Sequence, residues 1–155
     1  VAEADGWEAV TMRRLATEIG VTQPVLYSAF AAGRQAVIDA VALAGFSAIA
    51  DALEAAEPEA LPRMKAYLDF AADQPRVYEA MFSMPTGLTF GAEGGPAPLG
   101  RAFTAIEAVF PNDDGVKAEV AWASLHGLAT LQISGRLPAA RTDERLDYAH
   151  RMLTS

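Results

Sequence analysis

Two clusters in this sequence place chemically capable side chains at useful spacings: Thr22-Gln23-Pro24 followed by Tyr27, and Trp122 followed four residues later by His126. A glutamine amide can pair bidentately with adenine through N6 and N7, and threonine and tyrosine hydroxyls can bond phosphate oxygens. The first cluster therefore suits contact with a nucleic acid, and glutamine is equally an ordinary residue for a helix's first turn. In the second cluster, positions i and i+4 share one helix face, so an indole N–H and an imidazole could orient a polar group in an apolar pocket. A hydrogen-bonded structural histidine has the same spacing. His126 and His150 are the only histidines and there is no cysteine, so the sequence offers no convincing metal site and no disulfide framework. Glu54, Glu57 and Glu59 read as a solvated helix end. No Ser-His-Asp order or recognisable pair of catalytic carboxylates occurs, so the chain is not expected to be an enzyme and no cofactor is implied.

The elements that must position these groups are helical. Apolar residues recur at intervals of three and four, and no sustained alternation suggests a strand, so the fold class is all-α. Met12, Leu15, Ala16 and Ile19 form one expected buried stripe of a short helix capped by Thr11 and ended by Gly20. Thr22 is placed to cap a second helix of about two turns, with Pro24 in its first turn and Leu26 and Phe30 facing the first helix. Such a pair is a helix-turn-helix, whose second helix can enter a DNA major groove, or it is an ordinary helical corner of the same shape.

A longer helix is expected from Arg34 to about Glu57, apolar on two stripes and carrying Gly45 as the mark of a close helix contact or a bend. Its longest apolar run, Ala40 to Ala50, is interrupted by Gly45 and Ser47 and is too short to span a bilayer. Further helices present Met64, Tyr67, Leu68 and Ala71, then Val77, Tyr78, Met81 and Phe82. Met84 to Gly100 is rich in glycine and proline and reads as a long loop, either a lid or a solvated connection. Helical patterns resume at Phe103 to Phe110, Val116 to Ser134 and from Thr142, the last burying Leu146, Ala149, His150 and Leu153.

The run Thr11-x-x-x-Leu15-Ala16-x-x-x-Gly20-Val21-Thr22-x-x-x-Leu26-Tyr27-x-x-Phe30 closely resembles the DNA-binding signature of the tetracycline-repressor (TetR) family. Trp122-Ala123-Ser124-Leu125-His126-Gly127-Leu128, with Ala71 to Tyr78 upstream, resembles the C-terminal domain of that family's Trp-His-Gly subgroup. The resemblance implies a helix-turn-helix DNA-binding domain over residues 1–33 and a helical ligand-binding and dimerisation domain over 34–155. Carried over by position, it implies that Thr11 and Tyr27 contact phosphates, that Thr22 caps the recognition helix near the backbone, and that Gln23 and Pro24 face bases. Arg13 and Arg14 either lie along the DNA backbone or are solvated surface. The sequence departs from the family where Ser28-Ala29 replace the usual residues before Phe30, and where Gly33 replaces a lysine that Arg34 beside it could substitute.

In the second domain the aromatic candidates for a pocket are Tyr67, Phe70, Phe82, Phe103, Trp122 and His126, residues that also suit a core. Val120, Ala123, Gly127 and Leu131, with Leu146 and Leu153 on the last helix, are the candidates for a homodimer interface. Twelve basic against 20 acidic side chains, a net charge of −8, give no overall attraction to DNA or an anionic membrane, so any DNA contact must be local. The first 46 residues hold three arginines, Arg13, Arg14 and Arg34, against five acids. The reading is a cytoplasmic, ligand-responsive repressor whose partners are operator DNA, a small apolar or aromatic effector and a second copy of itself, with no membrane partner. The alternative is a helical small-molecule-binding or oligomerisation protein that has lost DNA binding.

Overall fold

The computed structural model describes residues 1–85, 97–111 and 114–155, which are helical with no strand among them. A short helix α1 (Ala2–Asp5) and a 3₁₀ turn (Trp7–Ala9) precede α2 (Met12–Glu18) and α3 (Gln23–Ala29). The Arg14 N–H donates to Thr11 Oγ1 at 3.1 Å, so Thr11 caps α2. Gly20 takes φ 71°, a left-handed conformation that costs glycine nothing, and turns the chain into α3. Met12, Ala16 and Leu26 are buried together, with Leu15, Val21, Phe30 and Val37 packed around them. Ile19 departs from the expected stripe and is 61% exposed. It is the C-cap of α2, beyond the last helical turn, where the chain has left the line of Met12 and Ala16.

Helix α4 (Arg34–Ala55) is the spine, packed against α5 (Ala60–Asp73), α6 (Pro75–Phe82) and α7 (Ala97–Glu107). The whole of α4, unlike its apolar run Ala40–Ala50, is long and apolar enough by length and composition alone to cross a membrane, a test that the core helix of a water-soluble fold also passes. Its apolar residues are explained by packing, since Ile38, Ala42, Phe46, Ile49, Ala50 and Leu53 are all buried against neighbouring helices. Gly45 marks a close contact, because a Cβ there would lie 2.6 Å from Met81 Sδ and 2.7 Å from Val77 Cγ1, both on α6.

Helices α8 (Val116–Ile133) and α9 (Thr142–Thr154) complete the second core, α8 resting on α5 and α7, and α9 on α5 and α8. Of the expected loop Met84–Gly100, residues 86–96 lie outside the described residues. Ala97 to Gly100 are instead the first turn of α7, where Pro98 is tolerated because early helix N–H groups lack intrahelical partners.

Candidate nucleic-acid interface and aromatic site

Leu26 anchors α3 against Met12 and Ala16, while Pro24, Val25 and Tyr27 lie off that face and Thr22 and Gln23 open the helix ahead of the anchor, so all five are exposed. Thr22 occupies the N-cap position, yet its side chain makes no capping bond. The expected side-chain cap is therefore absent and the hydroxyl remains at the surface. Val25 is 55% exposed and was not a candidate from sequence, because a lone valine in a short helix reads as core. On such a face it could meet a thymine methyl. Tyr27 is 46% exposed while its ring lies against Gly33, where a Cβ would come within 3.3 Å of the ring. The tyrosine is thus seated by packing and still partly open to solvent.

The three arginines of this region stand differently. Arg13 is exposed, with no ion-pair partner among the described residues. Arg14 pairs with Asp5 at 2.5 Å and with Glu18 at 3.7 Å. Arg34 is turned inward: its Nε donates to the Val10 carbonyl and its Nη2 to the Trp7 carbonyl, both at 3.0 Å. This is a bracing position, and the family lysine's expected substitute is directed at protein carbonyls rather than at solvent. The Trp7 carbonyl, which also accepts the Val10 N–H of the 3₁₀ turn, and the Val10 carbonyl just after that turn are both presented to the start of α4.

The aromatic candidates converge more tightly. The Trp122 indole N–H donates to Tyr67 Oη at 3.2 Å, Tyr67 and Tyr78 hydroxyls are 2.8 Å apart, and Tyr78 Oη is 2.8 Å from His126 Nδ1. His126 Nε2 lies 3.5 Å from Thr130 Oγ1. Indole can only donate, so every buried O–H finds an acceptor when Tyr67 donates to Tyr78 and Tyr78 donates to His126 Nδ1. That direction places the imidazole proton on Nε2. Burial pushes the Tyr67 phenol up to about 12 and raises Tyr78 further, burial first and the Tyr67 hydroxyl second. Burial also holds His126 below the ordinary imidazole value, favouring the neutral ring that the relay needs.

Around this relay, Phe82 packs edge-on to Phe46 at 5.3 Å and to Trp122 at 6.3 Å, and tilted to His126 at 4.7 Å, while Phe103 lies 5.7 Å from Trp122. Phe82, Phe103, Trp122 and His126 are only half-buried, which leaves an aromatic wall with one imidazole N–H. Phe70 is buried in the same core and makes no ring contact with this group among the described residues. Tyr78, the centre of the relay, and Phe46 were not among the pocket candidates. The spacing of Tyr78 and Phe82, four residues apart on one helix, was the available signal.

Val120, Ala123, Gly127 and Leu131 line one side of an open groove of about 1030 Å³ between α8 and α9. A Cβ at Gly127 would meet nothing within 4 Å, so this side is free for close approach. Leu153 is half-buried and borders the groove. Leu146 does not belong to it: it is 4% exposed and packs into the protomer's own core. Tyr148 and Met152, 61% and 63% exposed, present the outer apolar face of α9 instead. Their i, i+4 spacing opposite Leu146 and Ala149 was the overlooked sign.

Comparisons with known proteins agree with this arrangement. The family described as bacterial regulatory proteins, tetR family, matches residues 1–41, and the tetracyclin repressor-like C-terminal domain matches residues 60–155. A crystal structure of the candidate regulatory protein SCO4313 superposes with a TM-score of 0.77 at 18% identity, covering 98% of this chain and 88% of that one. A protein of unknown function from Rhodococcus sp. RHA1 superposes with a TM-score of 0.73 at 28% identity, covering 98% and 86%. No curated protein matches.

Proposed function

The chain belongs to the tetR family of bacterial regulatory proteins, and from that premise we propose that it is a one-component, cytoplasmic repressor without a membrane partner. Residues 1–33 bind operator DNA, and residues 34–155 dimerise and sense a small apolar or aromatic effector. The observation that carries this reading is the outward face of α3, where Gln23 stands beside Thr22, Pro24 and Tyr27 while Leu26 anchors the helix from behind. Gln23 reads a base edge; Thr11, Arg13, Thr22 and Tyr27 hold the phosphate backbone.

The half-buried aromatic wall with its single imidazole N–H supports the effector class, since flat apolar molecules with one acceptor atom suit it. The exposed faces of α8 and α9 support a two-fold dimer, and two recognition helices then require two half-sites. An effector that binds better to one spacing of those helices shifts the population away from operator binding. One observation favours a second reading, a helical ligand-binding protein that has lost DNA binding. Arg14 is ion-paired and Arg34 is bonded to carbonyls, which leaves Arg13 as the unengaged arginine of the first 46 residues.

Fluorescence anisotropy against the DNA flanking the protein's own coding region and against scrambled DNA, across a salt series, separates the two. Preferential binding that weakens with salt is expected of the repressor. Equal and weak binding to both DNAs would favour the second reading.

A further inference from the structure

Helix α6 is held to the DNA-binding unit at its start. At its start, the backbone N–H groups of Arg76 and Val77 both donate to Glu3 Oε1, at 3.0 and 3.1 Å, and the Trp7 indole donates to the Arg76 carbonyl at 2.9 Å. Beyond its far end, Gln35 on α4, within the second domain, donates through Nε2 to the Pro85 carbonyl at 2.8 Å. Between these attachments the same helix carries Tyr78, at the centre of the aromatic relay, and Val77 and Met81, pressed against Gly45. The first-turn N–H groups of a helix have no partners within it and favour a negative charge. Glu3, on α1, supplies both an acceptor and that charge from a position 73 residues away in sequence.

We propose that Glu3 is a positioning residue that transmits the state of the Tyr78 relay to the first helices of the DNA-binding unit by gripping the start of α6. Tyr78 follows Val77 directly, so a turn of α6 about its axis that follows a change at the Tyr78 hydroxyl must move the two peptide groups Glu3 holds. Because the Trp7 indole holds the carbonyl of the same residue, Arg76, the peptide is fixed from both its donor and its acceptor sides. This rests on the aromatic site being the sensing site of the proposed repressor, and the test needs neither DNA nor an effector.

The experiment is amide hydrogen exchange on the full chain, following residues 2–18, for Tyr78→Phe in the wild-type and Glu3→Ala backgrounds. Removing the Tyr78 hydroxyl should raise exchange over residues 2–18 by about three- to tenfold where Glu3 is present, the scale of one hydrogen bond in a local opening. It should leave exchange there unchanged in the Glu3→Ala background. Glu3→Gln retains an amide oxygen as acceptor and should preserve the transmission. Equal responses in the two main backgrounds, or no response in either, would overturn the proposal. If Tyr78→Phe does not fold, His126→Leu breaks the same relay and is read identically. Transmission without operator binding would leave the Glu3 role standing while removing the repressor reading, and operator binding without transmission would do the reverse.

Discussion

At Tyr78 one hydroxyl joins two tyrosines and a histidine from three different helices. Replacing it with phenylalanine leaves the buried Tyr67 O–H without its acceptor and should cost about 1–3 kcal/mol, measured by urea unfolding. The histidine beyond it makes stability depend on pH. His126 is held by burial below its ordinary value of 6.5, so below that value the unfolded chain takes up the proton before the folded one does. Its contribution is present above 6.5 and lost as pH falls toward and through the depressed value, and His126→Gln should flatten this part of the Tm–pH curve. At the exposed start of α3, Gln23→Ala should cost about 1–3 kcal/mol of discrimination at one operator position, read by anisotropy against point-changed operators. Gln23 was legible because it is a polar residue opening the first turn of α3, ahead of the helix's buried anchor Leu26. The inward turn of Arg34 was not, since the Trp7 and Val10 carbonyls it meets are brought to it by the fold.

Short helices are poor at stabilising themselves, and α2 and α3 persist because their few apolar residues meet in one small core. Periodicity, Thr11 and Gly20 were enough to read that pair from sequence. Gly45 was legible as a close contact, while its neighbour was not, because nothing local to α4 names α6. Gly45→Ala should lower stability by about 1 kcal/mol net, crowding Val77 and Met81 by more than alanine's helix preference returns, as measured by thermal unfolding. Sequence reading failed at the start of α7 because proline and glycine in Ala97-Pro98-Leu99-Gly100 resemble loop composition, whereas a first helical turn accepts both. It failed at Leu146 because amphipathic patterning shows that a helix has an apolar face without saying whether the same chain or a second copy covers it.

For the whole molecule, the outward apolar residues of α8 and α9 predict assembly that the protomer's own core does not require. Tyr148→Glu combined with Met152→Glu should yield a folded monomer by light scattering, because both side chains are exposed and support no internal packing. All-α architecture was readable from periodicity alone, and the family of the two ends of the chain from its motifs. What sequence could not give was how firmly those ends are fastened to each other. Arg34 reaches back to Val10 and Trp7, and Glu3 reaches forward to Arg76 and Val77. Hybrid regulators built by exchanging sensor halves at the Gly33–Arg34 junction would sever the Glu3 and Trp7 attachments to Arg76 and Val77 unless the incoming half offered equivalent partners. Grafts that bring residues 74–78 of this chain with its first 35 should respond to their new inputs more faithfully than grafts cut at the apparent boundary.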